Sequence, residues 1–200
     1  MKRIGITGPT GAGKTTALTA LKELGVFLLD ADAVYYDLLA GSAAMKKELR
    51  ERFGDGILGE GGQVDRKKLG SVVFGDPAAL RDLNAITHRY VRRELFARME
   101  AAEKQGCRAA AIDAIALIES GLGKECGTVV SVLAPAETRV KRIMARDGIS
   151  EEYARKRVAA QQKDSFYREN SDYVLENDGT EPPEAFSRRA LALFQNILQF

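Results

Sequence analysis

Residues 8–15 of the chain read GPTGAGKT, directly after the short apolar run RIGIT of residues 3–7. The spacing G-x-x-x-x-G-K-T matches the P-loop pattern in full and lies in the strand-to-helix context that the pattern requires. Glycines let backbone N–H groups turn toward a phosphate, and a helix that begins near Lys14 points its positive end at the same place. The stretch therefore predicts a bound nucleoside triphosphate and leaves the phosphate acceptor open.

The types of residue in this loop predict separate roles. Lys14 can reach the terminal phosphates, and the Thr15 hydroxyl can ligate Mg²⁺, so we expect ATP and Mg²⁺ as cofactors. The chain has no Asn-Lys-x-Asp guanine-reading stretch, which disfavours a GTPase and favours a small kinase. The residues predicted to contact the nucleotide form one continuous run: Gly8, Pro9, Thr10, Gly11, Ala12, Gly13, Lys14, Thr15 and Thr16.

The composition narrows the class of partner. The 200 residues are 45% apolar, and 30 basic and 28 acidic side chains leave a net charge of only +2, so no overall field favours nucleic acid. No apolar run is long enough to span a bilayer. The two cysteines, Cys107 and Cys126, lack metal-ligand spacing and are expected to be reduced thiols. We expect a soluble cytoplasmic protein with a small-molecule substrate and no membrane partner, and the oligomeric state stays open.

Strand-like and helix-like segments alternate along the chain. RIGIT, VFLL at 26–29 and the later segments CRAAAID, GTVVSVLAP and SDYVLEND are typical of strands, and KTTALTALKEL has helical spacing. This alternation predicts an α/β fold with a parallel core sheet, in the three-layer P-loop NTPase arrangement. We predict a single domain of three parts: a core of 1–32, 107–135 and 171–200, a helical acceptor-binding insert at about 33–106, and a helical lid at about 136–170.

Acidic residues follow several of the predicted strands. Parallel strands end at one edge of their sheet, so Asp30, Asp32 and Asp113 are expected near the phosphates. Phosphoryl transfer needs an acid that accepts the proton of the attacking hydroxyl, and we assign that role to Asp32. Alternation places Asp30 and Asp32 on one face if the strand extends that far, although Asp30 could equally cap the next helix. Asp113 follows an apolar run as a Walker B acid does.

Basic side chains recur at helical spacing late in the chain. Arg142 and Arg146 are four residues apart, and Arg157 and Gln161 repeat that spacing on a second predicted helix. Arginines of this kind can neutralise charge on a transferred phosphoryl group when a lid closes, although a solvated basic face has the same pattern. The only histidine, His88, lies in the predicted insert, where it is either structural or in contact with the acceptor.

Several longer stretches are similar to one family of small-molecule kinases. GITGPTGAGKTTALTALKELGVFLLDAD at 5–32, GGQVDRKKLGSVVF at 61–74 and RIMARDGISEEYARKRVAAQ at 142–161 resemble the opening, the middle and the lid of the dephospho-coenzyme A kinase family. DYVLENDG at 172–179 resembles that family's last strand. The chain departs from the family's pattern at three positions, Tyr36, Arg89 and Ile115.

The resemblance implies ATP-dependent phosphorylation of the ribose 3′-hydroxyl of dephospho-coenzyme A. It also implies Asp32 as the base, a lid carrying Arg142 and Arg146, and Arg157 near the nucleotide. The implied acceptor-binding residues are Asp65, Arg66 and His88, in addition to Asp32, and we add Asp113 to this group. Two other functions stay open: a P-loop kinase for a nucleotide or sugar, and a nucleotide-binding homologue without catalysis.

Overall fold

The computed structural model describes residues 1–199, and the chain divides into two compact units. The first unit comprises Met1–Leu29 together with the chain from Ala102 onward, and the second comprises Asp30–Ala101. The sequence-based division into core, insert and lid is finer than these two units and stays a prediction.

One parallel sheet organises the first unit. Within residues 1–199 its strands are β1 (Lys2–Thr7), β2 (Phe27–Asp30), β3 (Ala109–Asp113), β4 (Thr128–Leu133) and β5 (Tyr173–Glu176). They lie in the order β2-β3-β1-β4-β5, and β1 pairs in parallel with both β3 and β4, while β4 pairs in parallel with β5. The central strand β1 has an unbroken apolar run because parallel strands are covered on both faces. The predicted α/β class is confirmed.

Helices connect and cover the strands. In chain order the α-helices of the described residues are α1 (Lys14–Glu23), α2 (Ala31–Gly41), α3 (Ala43–Phe53), α4 (Arg66–Val73), α5 (Pro77–Lys104), α6 (Ala136–Asp147), α7 (Glu151–Ala159), α8 (Asp164–Glu169) and α9 (Pro183–Leu198). Among these helices, none combines the length and the apolar character needed to cross a bilayer.

The core of the first unit forms where α1 and α9 pack on the sheet. Ile6 of β1, Leu21 of α1, Val130 of β4 and Phe194 of α9 are all fully buried in one cluster. Burying one such side chain contributes about 1.5–3 kcal/mol of hydrophobic stabilisation. This packing fixes the end of β1 against the start of α1, which is the junction that carries the glycine-rich loop.

The second unit has a helical core of its own. Met45 and Leu49 of α3 and Leu69 of α4 are buried together, with relative exposures of 2% or less. The helix starts are fixed by side-chain caps: Ser42 accepts from the Met45 N–H at the start of α3, and Asp76 accepts from two N–H groups at the start of α5. The long helix α5 therefore begins at Pro77, directly after its capping residue Asp76.

Two expectations from the sequence differ from the observed elements. β2 ends at Asp30 and α2 begins at Ala31, so the strand does not extend to Asp32, and of the two alternatives for Asp30 the helix cap is confirmed. The physical reason is the cap, because Asp30 Oδ1 accepts the Ala33 N–H at 3.0 Å and starts the helix there. In addition, α8 is a short helix that the hydrophobic pattern did not predict.

Candidate active site

The GPTGAGKT loop adopts a backbone that glycine alone tolerates at several positions. Gly8, Gly11 and Gly13 have φ angles of 132°, 83° and 102°. A Cβ at Gly8 would collide with the carbonyl oxygen of Val132, and one at Gly13 would collide with the Asn177 amide. The glycines are therefore required by their positive φ angles and by the close approach of neighbouring parts of the chain.

The end of the loop is the N-terminus of α1. The helix begins at Lys14, the preceding N-cap residue Gly13 supplies no side-chain cap, and the first turn contains no acidic residue. The N–H groups and the positive dipole end of the helix are therefore directed at whatever anion the loop holds. Lys14 Nζ donates to the Gly8 carbonyl oxygen at 3.0 Å, so the predicted phosphate-binding ammonium lies across the mouth of the loop.

Gln161 makes two hydrogen bonds with Thr10, in the middle of the loop. Its Oε1 accepts the Thr10 N–H at 3.2 Å, and its Nε2 donates to Thr10 Oγ1 at 3.0 Å. Helical spacing predicted Gln161 and Arg157 on one helix face, but α7 ends at Ala159, so Gln161 lies in the turn that follows the helix. That turn lets the amide reach the loop as a two-point contact.

Arg139 forms a buried support beneath this contact. The residue is only 3% exposed, its Nη2 donates to the Val158 carbonyl oxygen at 3.4 Å, and its Nη1 lies 3.9 Å from Asp164 Oδ1. Burial lowers the pKa of the Arg139 guanidinium. The backbone of Arg139 also packs so closely on Gly11 that a Cβ at Gly11 would stand 2.9 Å from its carbonyl oxygen. The start of α6 is thus a wall of the loop.

Arg142 and Asn177 bind the next part of the loop together. Arg142 Nη1 donates to the carbonyl oxygens of Gly11 and Ala12, both at 3.3 Å, and Asn177 Nδ2 donates to the Ala12 carbonyl oxygen at 2.9 Å. Arg142 Nη2 also donates to Asn177 Oδ1 at 3.0 Å. Burial lowers the pKa of the Arg142 guanidinium. The predicted lid arginine therefore lies against the loop itself and brings positive charge to its rim.

The other two predicted arginines meet on one carboxylate. Arg146 donates to both oxygens of Asp147, at 2.7 and 3.1 Å, and Arg157 Nη1 donates to Asp147 Oδ2 at 2.6 Å. The hydrogen bonds from Arg146 and then Arg157 lower the pKa of Asp147 to about 2. The structure thus gathers Arg146 and Arg157 at the junction of α6 and α7, where Asp147 orients both guanidinium groups.

Asp113 ends β3 beside the strand that leads into the loop. Its Cα pairs in register with Ile6, and the Ala114 N–H donates to the Ile6 carbonyl oxygen at 3.1 Å. Thr7 Oγ1 donates to the Ile115 carbonyl oxygen at 3.1 Å, which ties the two strand ends together. The predicted position of Asp113 at the carboxyl edge of the sheet, next to the phosphate loop, is confirmed.

Two side chains, those of Thr15 and Asp113, carry oxygen atoms of the kind that suits a magnesium ion. Mg²⁺ prefers oxygen ligands and is usually held by one or two carboxylates, water and substrate phosphates rather than by a protein cage. The Thr15 hydroxyl in the first turn of α1 and the Asp113 carboxylate supply such donors. No cluster of three or more His, Cys, Asp or Glu side chains occurs among residues 1–199, so Mg²⁺ here would be held mainly by nucleotide phosphates and water.

Four of the five predicted acceptor-binding residues, Asp32, Asp65, Arg66 and His88, lie in the second unit, whereas Asp113 lies in the first. Asp32 is exposed in the first turn of α2, where the helix N-terminus favours a negative charge. Asp65 caps α4 by accepting the N–H groups of Lys67 and Lys68 at 2.8 and 3.1 Å, and these backbone hydrogen bonds lower its pKa. Asp65 therefore fixes the start of the helix that carries Arg66, and a direct contact between Asp65 and the acceptor stays a prediction.

Arg66 and His88 differ in their surroundings. The Arg66 guanidinium lies 4.2 Å from the centroid of the Tyr36 ring, and its Nη2 donates to the Tyr36 hydroxyl at 2.9 Å. His88 is half-buried on α5, and burial lowers the pKa of its imidazole. A neutral, half-buried imidazole is compatible with both open interpretations of His88, the structural one and the contact with the acceptor.

Sequence reasoning missed Arg139, Asp147 and Asn177. Asn177 directly follows the last residue of β5, Glu176. The rule that polar residues after parallel strands share one edge, which found Asp113, would have found Asn177 as well. No comparable signal marks Asp147, because its role depends on how the turn between two helices folds.

The parallel sheet, the complete phosphate loop and the arginines around it define a P-loop kinase. The sequence matches the family model of dephospho-CoA kinases (CoaE) over residues 2–182, and the chain belongs to that family.

Individual relatives agree with this assignment. Dephospho-CoA kinase of Leifsonia xyli subsp. xyli is 38% identical over 181 residues, which is 90% of this chain and 91% of that protein. A crystal structure of a Thermus thermophilus protein aligns with a TM-score of 0.80 at 34% identity, over 98% of this chain and 97% of that one. Dephospho-CoA kinase from Campylobacter jejuni aligns with a TM-score of 0.72 at 26% identity, over 100% of this chain and 98% of that one.

Proposed function

We propose that this protein transfers the γ-phosphoryl group of ATP to the ribose 3′-hydroxyl of dephospho-coenzyme A and so produces coenzyme A. One observation carries the proposal: a complete phosphate loop, held by Gln161, Arg142 and Asn177, in a chain that matches the dephospho-CoA kinase family over residues 2–182. The loop supports the use of a nucleoside triphosphate, and the family supports the acceptor.

On the nucleotide side we assign the β- and γ-phosphates to the loop and to the N-terminus of α1. Lys14 would exchange its contact with the Gly8 carbonyl oxygen for a phosphate oxygen, because a phosphate is the stronger partner for an ammonium group. The Thr15 hydroxyl and the Asp113 carboxylate would hold Mg²⁺. When bound, Mg²⁺ neutralises charge on the phosphate oxygens.

On the acceptor side we assign Asp32 as the base that accepts the proton of the 3′-hydroxyl. The 3′-hydroxyl oxygen forms a bond to the γ-phosphorus, and the bond between that phosphorus and the β,γ-bridging oxygen breaks, so that ADP leaves with the electron pair. The hydroxyl proton passes to the Asp32 carboxylate. The exposed position of Asp32 in the first turn of α2 supports this role, since a base must be reachable by the substrate.

Positive charge for the transition state would come from the arginines of α6 and α7. Arg142 already lies on the loop carbonyl oxygens, whereas Arg146 and Arg157 are held by Asp147. In this proposal Arg146 and Arg157 turn from that carboxylate toward the phosphates as the nucleotide binds. Such cations stabilise charge that develops on the transferred group.

An acceptor screen tests the proposal. Purified protein with ATP and Mg²⁺ is offered dephospho-coenzyme A, AMP, adenosine and shikimate, and products are identified by mass and by the position of the new phosphate. We expect one phosphoryl group on the ribose 3′-oxygen of dephospho-coenzyme A, with higher kcat/KM than for the other acceptors. Turnover of a different acceptor alone would keep the kinase class and overturn the substrate. Absence of turnover with every acceptor would favour a non-catalytic nucleotide-binding role.

A further inference from the structure

Arg139 on α6 is a buried cation with no part in the reaction described so far. It is 3% exposed, and no other charged residue among residues 1–199 is buried to a comparable extent. A charge that leaves water lowers stability unless its partners compensate for the lost hydration. The contacts of this guanidinium therefore indicate what it contributes to the protein.

The guanidinium of Arg139 is only partly compensated by negative charge. Its Nη1 lies 3.9 Å from Asp164 Oδ1, which is longer than a hydrogen bond, and the Asp164 side chain is 46% exposed. Its Nε is buried, and within residues 1–199 no group accepts a hydrogen bond from it. Its Nη2 instead faces two neutral oxygens, the Val158 carbonyl oxygen at 3.4 Å and Gln161 Oε1 at 3.5 Å. These oxygens, rather than a carboxylate, set the orientation of the group.

The contact with Gln161 decides which way the side-chain amide of Gln161 faces. An amide has a donor end and an acceptor end, whereas a guanidinium only donates, so Oε1 must be the atom turned toward Arg139. In this orientation Oε1 also accepts the Thr10 N–H at 3.2 Å, and Nε2 donates to Thr10 Oγ1 at 3.0 Å. A reversed amide would direct its NH₂ group at two other donors, the Thr10 N–H and the guanidinium. Arg139 thus excludes the orientation that cannot bind Thr10.

The backbone of Arg139 contacts the next residue of the loop. A Cβ at Gly11 would stand 2.9 Å from the carbonyl oxygen of Arg139 and 3.1 Å from its Cα, so the two chains are in close contact. Arg139 therefore acts on two successive loop residues, on Gly11 through its own backbone and on Thr10 through Gln161. Because peptide groups are planar and rigid, the directions of the loop N–H groups depend on how both residues are held.

We propose that Arg139 is a positioning residue for the phosphate loop: it orients the Gln161 amide, which holds Thr10 and so keeps the loop in the form that binds nucleotide phosphates. The inference rests on the nucleotide part of the proposed function and is independent of the acceptor. No proton or phosphoryl group passes through Arg139. Its loss should therefore weaken nucleotide binding and raise KM for ATP, while kcat at saturating ATP changes little.

Two variants and one control test the inference. Arg139→Met removes every donor and leaves an unbranched apolar side chain. Because an apolar replacement of a buried ion is often neutral or stabilising, weak binding by this variant need not reflect a weakened fold. Arg139→Lys keeps a side chain that only donates. Lys141→Gln is the matched control, since it also removes one positive charge from α6, at an exposed position.

Titration calorimetry measures the Kd of ADP with Mg²⁺, at a temperature well below the Tm of every variant. We expect Arg139→Met to raise this Kd about fivefold, which is the size of effect that a lost hydrogen bond produces. KM for ATP should rise by a similar factor, with kcat within about twofold. Arg139→Lys should recover most of the affinity, and Lys141→Gln should stay within about twofold of the unmodified protein.

A double-mutant cycle tests whether Arg139 acts through Gln161. Gln161→Ala alone should also raise the Kd of ADP about fivefold, because the Thr10 N–H loses its acceptor. With the amide gone there is nothing left for Arg139 to orient, so adding Arg139→Met should change the Kd by less than about twofold. If the two factors multiplied instead, the side chains would act independently and the inference would be wrong.

The outcomes separate this inference from the proposed function. Unmodified protein that binds no ADP would overturn the proposed function and the inference with it. Normal ADP affinity in Arg139→Met, in a protein that does bind ADP, would overturn the inference alone, as would a fall in kcat with Kd and KM unchanged. If Arg139→Met does not fold, Gln161→Ala decides, since Gln161 is half-buried in a turn. Normal ADP affinity in Gln161→Ala would overturn the inference, and weaker affinity together with near-normal binding by Arg139→Lys would support it.

Discussion

Arg142 and Asn177 form a hydrogen-bonded pair, with Nη2 of the arginine 3.0 Å from Oδ1 of the asparagine, and both side chains donate to the carbonyl oxygen of Ala12. The pair fixes the direction of the carbonyl groups on the outer side of the phosphate loop. Because each peptide carbonyl is rigidly coupled to the next N–H, the pair also helps to direct the loop N–H groups inward. The loop geometry is therefore maintained by side chains distant in sequence as well as by its own glycines.

This relationship predicts coupled effects on ATP. Arg142→Ala and Asn177→Ala should each lower kcat/KM for ATP, since each removes a donor to the loop carbonyl oxygens and also removes the hydrogen bond between the two side chains. The double variant should lose less than the sum of the two single losses, with a coupling energy of about 0.5–3 kcal/mol. Steady-state kinetics of the four proteins measure the coupling. Strictly additive losses would show that the two side chains act independently.

Arg142 also carries a prediction of its own. If its guanidinium stabilises the transferred phosphoryl group, Arg142→Ala should lower kcat more than it raises KM for ATP. A change in KM alone would assign Arg142 to ground-state binding of the nucleotide. Arg146→Ala is measured alongside. A lower kcat would show that Arg146 acts on the phosphates, and unchanged kinetics would show that it only pairs with Asp147.

Lys14→Ala should remove activity without unfolding the protein. The ammonium group lies across the loop, and in catalysis it would be the point charge on the transferred phosphate, so we expect kcat/KM to fall by a factor on the order of a hundred or more. Lys22→Ala is the matched control, because Lys22 is exposed in the last turn of the same helix. Circular dichroism and thermal melts report folding, and near-normal turnover by Lys14→Ala would contradict the assignment of the loop.

Asp32→Asn should keep ATP binding and lose rate. The amide has the shape of the carboxylate but cannot accept the proton, and general-base catalysis typically contributes about 10²–10⁴-fold. Asp30→Asn is the matched control, because asparagine caps a helix as well as aspartate does and should retain both stability and turnover. Titration calorimetry measures ATP affinity and a coupled assay measures rate. A collapse of ATP affinity in Asp32→Asn would assign Asp32 to metal binding or structure.

Asp147→Asn should loosen the junction of α6 and α7 in a pH-dependent way. The pKa of Asp147 is lowered from 3.8 to about 2 by Arg146 and Arg157, so the ionised form is favoured in the folded protein. A lowered pKa contributes stability that is fully present above the unfolded value and is lost as the pH falls from 3.8 toward 2. The difference in Tm between the unmodified protein and Asp147→Asn should thus be constant above about pH 5 and shrink below about pH 4. A difference that grows on acidification would contradict this.

The sequence alone determined the features that depend on near neighbours. The glycine-rich motif and the start of α1 at Lys14 each involve groups only a few residues apart. At Asp30 two local rules competed. Strand alternation placed the residue on one strand face with Asp32, whereas its residue type favoured a cap of the next helix. The cap was formed because its oxygen accepts the Ala33 N–H and satisfies an otherwise unpaired donor.

The tertiary structure alone decided which distant side chains hold the loop. Arg142 is 131 residues from Gly11, and Asn177 is 165 residues from Ala12, yet both donate to loop carbonyl oxygens. Gln161 reaches Thr10 only because α7 ends two residues before it, which helical spacing did not predict. No periodicity encodes such contacts, because they depend on which strand ends the sheet brings to one edge and on where each helix stops, and both are set by the packing of the whole core.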